Sequence, residues 1–271
     1  MKLGISTYTF TWGIGVPGYD PEKKLTAYDL IDKALYYKLT TLQIADNLDI
    51  SLLPLSEIDR IKRYAADKGI SIEIGARGMT NEKLPKFIEL ASYFNSPILR
   101  FVIDEQNFEP NLDEIVQIIK NNLELIKSKK IILAIENHDR LKAQEFKYII
   151  ENSDKSYVGI CLDSVNSIGA GESVTEITNL LVPYTVNLHL KDFSVRRIDH
   201  KMGFVVEGTP AGEGMLDISL LVQKIRLFDR CQSAILELWT PPLSQLEDTI
   251  KKEEDWANRS IVNLKNTKLF T

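Results

Sequence analysis

The feature that most restricts the fold is a regular alternation of two hydrophobic periods. Short β-prone runs lie at residues 2–7, 41–45, 70–75, 98–103, 131–136, 158–163, 186–190 and 234–238, and a longer stretch with helical spacing of apolar residues follows each. Leu25, Tyr28, Leu30, Ile31, Ala34 and Leu35 make one such stripe; Leu112, Ile115, Ile118, Ile119, Leu123 and Ile126 make another. Strand, helix, strand, helix implies parallel pairing with right-handed crossovers, because each strand must return across the sheet through a helix. Eight units in 271 residues match the size of a (β/α)8 TIM barrel. A doubly wound sheet uses the same alternation with fewer strands. The count of eight, and a last helix over 245–266 able to close the ring, favour the barrel. No linker or charge block interrupts the series, so residues 1–271 are expected to form a single domain. Helix caps are expected at Asp20, with Pro21 at the first helical position, and at Ser56 and Asp217.

Composition narrows the function. Hydrophobic residues make up 44% and charged residues 26%, which supplies a core and excludes disorder. No apolar run approaches the ~18 residues of a membrane span. Residues 1–7 turn polar after a single Lys and lack the apolar centre of a secretory signal, so a cytoplasmic location is expected. Only Cys161 and Cys231 are present, and a buried free thiol is expected rather than a disulfide framework. The balance of 33 Lys+Arg against 38 Asp+Glu offers no basic face to a phosphate backbone, so nucleic acid is disfavoured as a partner. A small-molecule carbohydrate is the expected partner, and self-association is left open.

In a barrel the active groups sit where strands end. The fifth run ends Glu136-Asn137-His138, the sixth Asp163-Ser164-Val165-Asn166, the seventh His189-Leu190-Lys191-Asp192 and the eighth Leu236-Glu237-Leu238-Trp239. Alternation groups Glu136 with His138, His189 with Lys191, and Glu237 with Trp239, each pair on one face. An ionised carboxylate among leucines is costly to bury unless something neutralises it. Glu136, Asp163, His189 and Glu237 could converge on one divalent cation, and three carboxylates with one imidazole suit Mn²⁺, Mg²⁺, Co²⁺ or Zn²⁺. The bland alternative, four unrelated rim residues, demands a coincidence at four consecutive strand ends.

These strand ends, with Gly212-Glu213-Gly214-Met215-Leu216-Asp217 between the last two, resemble the xylose isomerase-like barrel superfamily. The likeness spans nearly the whole chain, and its informative part is the second half. It implies one divalent metal at the four matching positions, with Glu136 and Glu237 also serving as acid/base groups. The superfamily includes sugar isomerases and epimerases, inosose-processing enzymes and an endonuclease branch. The endonuclease chemistry relies on several additional histidines, whereas this chain has only His138, His189 and His200; the early strand ends offer Gln43, Asp46, Asn47 and Arg77 instead.

The expected activity is therefore a metal-dependent isomerase or epimerase acting on a small sugar or keto-polyol through an enediolate, with Glu136 and Glu237 moving the proton. A decarboxylase of a 3-oxo sugar acid is the alternative, and a silent sugar-binding regulatory barrel a third. His138 and Lys191 are expected to line the pocket, against a rim salt bridge of Lys191 with Asp192. Asn166 stands where some relatives carry His. Arg197, in the long stretch 192–214 that reads as largely irregular, is a candidate anchor for an anionic substrate, and Tyr8, Trp12 and Trp239 are candidate walls for a sugar ring. The stretch Gly13-Ile14-Gly15-Val16-Pro17-Gly18 fits G-x-G-x-x-G, but Pro17 removes a backbone donor and the expected helix cap lies beyond the glycines, so dinucleotide binding is not expected.

Overall fold

A computed structural model describes residues 1–270. Its strands are β1 Lys2–Ser6, β2 Thr41–Ile44, β3 Ser71–Arg77, β4 Ile98–Val102, β5 Ile132–Glu136, β6 Val158–Asp163, β7 Thr185–Leu190, β8 Asp192–Arg197, β9 Phe204–Thr209 and β10 Ser233–Leu236. Its helices are α1 Thr11–Ile14, α2 Ala27–Tyr36, α3 Leu55–Asp67, α4 Lys83–Tyr93, α5 Leu112–Lys129, α6 Ala143–Glu151, α7 Val174–Leu181, α8 Ile218–Arg226 and α9 Leu246–Asn266. Eight strands close a parallel barrel in the order β1-β10-β7-β6-β5-β4-β3-β2. This is the (β/α)8 architecture that the alternation predicts. No helix among the described residues is long and apolar enough to cross a membrane.

The apolar surface is divided unequally. A large cluster, including Leu42, Ile74, Phe101, Ile135, Leu162 and Leu188, packs the outward faces of the strands against the helices. A small separate cluster of Ile98, Ala134, Cys161 and Val186 forms a plug inside the barrel. Above this plug the interior is polar, unlike the branched apolar layers that usually fill such barrels. Gly75 makes room for one of the polar residues: a Cβ there would meet Arg100 Cδ at 3.2 Å. Cys161 is buried and free, as expected, and Cys231 is also free.

Three local expectations are corrected. The first long helix begins at Ala27, where Thr26 Oγ1 accepts from Asp29 N at 3.3 Å and the Asp29 carboxylate accepts from Thr26 N at 2.8 Å. Asp20 pairs instead with Lys24, because a short helix and a Val16–Tyr19 bridge occupy the connection. Ser56 lies inside the first turn of α3, since the extended backbone ends at Pro54. The stretch 192–214 is not mainly irregular: β8 and β9 form an antiparallel ribbon. Asp217 does cap α8, accepting from Leu220 N at 2.9 Å. The glycines of 13–18 span the end of α1 and its C-cap, Gly15, rather than a helix N-terminus.

Candidate metal centre and active site

Glu136 closes β5, Asp163 closes β6, His189 lies in β7 and Glu237 follows β10, and each is at most 1% exposed. Register brings them level: Asp163 pairs with His189 and His189 with Ile235, two residues before Glu237. His189 Nδ1 is 3.3 Å from Glu237 Oε1, 3.4 Å from Glu136 Oε2 and 3.9 Å from Asp163 Oδ2. Its other nitrogen, Nε2, lies 2.8 Å from Gln43 Oε1, which can accept a hydrogen from it, while Nδ1 faces the carboxylates.

Three buried atoms of this cluster make no hydrogen bond: His189 Nδ1, Asp163 Oδ2 and Glu237 Oε2. Ligand atoms of Asp163, His189 and Glu237 lie within 4.8 Å of one another. Acceptors buried facing one another repel unless positive charge lies among them, and here Lys191 reaches only the two carboxylates. The donor set therefore fits a borderline-hard divalent ion. Glu136 stands at the edge of this group with both oxygens engaged. Oε2 pairs with Arg100, and Oε1 accepts from Asn166 Nδ2 at 2.9 Å.

Two cations answer the negative charge. Lys191 Nζ is 2.9 Å from both Asp163 Oδ2 and Glu237 Oε2, close enough for ion pairing although neither oxygen has hydrogen-bond geometry. Asp192, the alternative partner, instead accepts backbone hydrogens from Gly212, Gly214 and Leu216 at 2.9, 3.0 and 3.0 Å, which pins the Gly212–Asp217 motif beside the ribbon. The second cation, Arg100, had no role in the sequence-based reading. It projects inward from β4 at 2% exposure and reaches Asp46 Oδ1 at 2.7 Å as well as Glu136. Asp46 also accepts from Tyr8 Oη at 2.9 Å and from Arg77 Nε at 3.1 Å.

The pKa shifts follow from this packing. Burial alone would raise the Glu136 carboxyl, but Arg100 and His189 outweigh it and hold the group below its ordinary value. Burial is likewise overcome at Glu237, which His189 and Lys191 hold well below the usual range. Burial would lower Lys191 and His189, yet the surrounding carboxylates raise both.

A pocket of about 480 Å³ opens above the cluster, lined by Tyr8, Trp12, His138, Asn166, Lys191 and Trp239 among others. Its volume suits a small ligand. Trp12 is anchored at both ends: Nε1 donates to Thr240 O at 2.9 Å, and its backbone N–H donates to Glu253 at 3.0 Å. His138 pairs with Asp139 and lies 3.4 Å from Arg77 Nη2. Arg197 is not brought to this pocket. It is exposed on the ribbon, stacked on Phe204 and donating to Lys201 O at 2.8 Å.

A model of the xylose isomerase-like TIM barrel family matches residues 40–261. The chain belongs to that family. Among relatives, 3-oxo-isoapionate decarboxylase from Pectobacterium atrosepticum is 28% identical and aligns over 96% of this chain and 94% of its own. Among solved structures of this family's fold, D-psicose 3-epimerase from Clostridium cellulolyticum, determined with D-tagatose, superposes with a TM-score of 0.74 at 13% identity over 100% of both chains. A xylose isomerase-like barrel protein from Mycobacterium smegmatis, determined in complex with magnesium, superposes with a TM-score of 0.72 at 14% identity over 97% of both.

Proposed function

We propose that this family member is a divalent-metal-dependent decarboxylase of a 3-oxo sugar acid. The observation that carries this reading over epimerisation is the buried pairing of Arg100 with Glu136. Inverting a carbon through an enediolate needs two bases that exchange protons with opposite faces of the substrate, and each must be free to take a proton up. Glu136 has one oxygen on Arg100 and the other on Asn166, and its pKa lies below the ordinary value, so it is a weak acceptor. Decarboxylation makes no such demand. The bond between the carboxylate carbon and C2 breaks, its electron pair moves toward the C3 ketone oxygen, CO₂ leaves, and C2 takes up one proton. This reading prefers the alternative to the expected isomerase or epimerase, and the 3-oxo-isoapionate decarboxylase that aligns along nearly the full chain supports the preference.

Asp163, His189 and Glu237, with Glu136 beside them, would hold the ion, which supplies a Lewis acid for the charge that collects on the ketone oxygen. Lys191 turns its ammonium into the same pocket, where it meets an anionic substrate oxygen and delivers the proton to C2, a carbanionic centre far more basic than an amine. Ser6 Oγ donates to Glu237 Oε1 at 3.1 Å and steadies that carboxylate. Tyr8, Trp12 and Trp239 wall the pocket, and stripping water from the substrate carboxylate favours its conversion to uncharged CO₂.

The test is incubation of metal-loaded protein with 3-oxo-isoapionate in deuterated water, followed by NMR. Release of CO₂ in step with substrate loss, with deuterium appearing on carbon, is the expected result. Deuterium wash-in to ketohexoses with every carbon retained, and no CO₂ from the acid, would instead establish an epimerase and refute the reading.

A further inference from the structure

Beneath the metal-type cluster the barrel holds a second polar layer, of which only Gln43 touches the groups described above. Gln43 on β2, Glu73 on β3, Asn187 on β7 and Ser233 on β10 are each at most 4% exposed. A carboxylate at this depth is costly, and among the described residues no Lys, Arg or His forms an ion pair with Glu73. Packing alone would place a branched apolar side chain there.

The hydrogen bonds of this layer run in one direction. Ser233 Oγ donates to Glu73 Oε1 at 2.6 Å, and Gln43 Nε2 donates to Glu73 Oε2 at 3.1 Å and to Asn187 Oδ1 at 3.2 Å. The Asn187 amide is itself oriented, because its nitrogen donates to Ser233 Oγ at 2.8 Å while its oxygen accepts from Cys161 Sγ at 3.1 Å. With both amide hydrogens of Gln43 committed, its oxygen is the atom left to face His189 Nε2 at 2.8 Å. An oxygen at that place requires a hydrogen on Nε2, so the neutral imidazole offers Nδ1 as its acceptor.

We propose that Glu73 and Gln43 are positioning residues that set the tautomer of His189 and thereby make Nδ1 available to a metal ion. The proposal rests on the reading of His189 as a ligand. A carboxyl suits the base of the relay because its two oxygens receive one donor each, Ser233 Oγ on Oε1 and Gln43 Nε2 on Oε2, whereas an amide in its place can turn round. Glu73→Gln keeps the shape but offers Gln43 a donor. Gln43 then turns, its nitrogen meets Nε2, and the imidazole hydrogen moves to Nδ1. Metal-ligating histidines are ordinarily held by such a partner on the far nitrogen, and losing it weakens metal affinity by roughly 10–100-fold.

Two measurements on the full-length chain test this. Nitrogen-15 NMR of the neutral imidazole in metal-free protein reads the tautomer, and titration with Mn²⁺ reads affinity. The expected results are Nε2–H in the parent, a shift toward Nδ1–H in Glu73→Gln and Gln43→Met, and Mn²⁺ binding weaker by roughly 10–100-fold in both variants, with unfolding still cooperative. Unchanged tautomer or unchanged affinity in both variants overturns the relay while leaving the metal centre intact. A parent that binds Mn²⁺ no better than Asp163→Ala removes the ligand reading, and the relay falls with it.

Discussion

Arg100→Met isolates the pairing on which the choice of reaction turns. Arg100 and Glu136 are 2% and 1% exposed, so removing the guanidinium strands a buried carboxylate and costs about 3–5 kcal/mol. Asp46 contributes less, because it is 20% exposed and keeps Arg77 at 3.1 Å. The cost depends on pH. In the parent, Glu136 is held below its ordinary value despite burial, by Arg100 and His189. It therefore contributes stability that is present above the unfolded carboxyl pKa, about 4.3, and lost as pH falls through the lower folded value. Without Arg100, burial raises the folded value above the unfolded one. The variant is then most stable below about pH 4.3 and weakens as pH climbs through the raised pKa. Urea unfolding of metal-free protein should show the deficit of about 3–5 kcal/mol at pH 8 and a much smaller one near pH 5. Adding Glu136→Gln removes the stranded charge and should recover most of the loss. An equal deficit at both pH values, or a double variant no more stable than the single one, would refute the reasoning.

Purified protein should contain about one divalent ion per chain, lost in Asp163→Ala and His189→Ala; elemental analysis finding both variants as loaded as the parent contradicts the centre. Lys191→Met should retain the ion yet slow CO₂ release by roughly 10²–10⁴-fold, as loss of a proton donor does, and near-parental turnover would remove that role. Burial pushes the Glu253 carboxyl up to about 8 against the backbone hydrogens that Trp12 and Gly13 donate to it. Because its folded pKa exceeds the unfolded one, stability should fall from pH 5 to 8 by up to about 1.4 kcal/mol per pH unit, and Glu253→Gln should flatten that slope. Parallel stability curves for parent and variant would contradict it. Arg197→Ala should leave kcat/KM unchanged, since the side chain lies on the exposed ribbon; a large rise in KM would return it to the substrate site.

Much of the candidate site's grouping was legible because barrel geometry converts sequence position into spatial position. Glu136, Asp163, His189 and Glu237 could be named from four strand ends, and Tyr8, Trp12, His138, Asn166, Lys191 and Trp239 do meet at one pocket. Arg100 also carried a signal, a lone cation at an inward parity within the apolar run 98–103, and Glu73 sits likewise among isoleucines. What the pattern lacked was their partners. Arg197 was misplaced for the opposite reason: glycines in 192–214 suggest an irregular loop serving the site, whereas cross-strand pairing holds β8 and β9 as a ribbon on which Arg197 is exposed and stacked on Phe204.

The amino-acid sequence by itself determined the ring of eight strands, the layer of helices around it and the rim where the candidate site residues gather. Those features depend on periodicity, which is local, and on handed connections, which are nearly universal. The tertiary structure alone decided that Arg100 occupies one glutamate, that Lys191 faces two other carboxylates, and that Gln43 lies between Glu73 and His189. Charge pairing across a closed barrel depends on stagger between strands far apart in the chain, and ångström separations there decide which carboxylate is held and which acceptor atoms stay free.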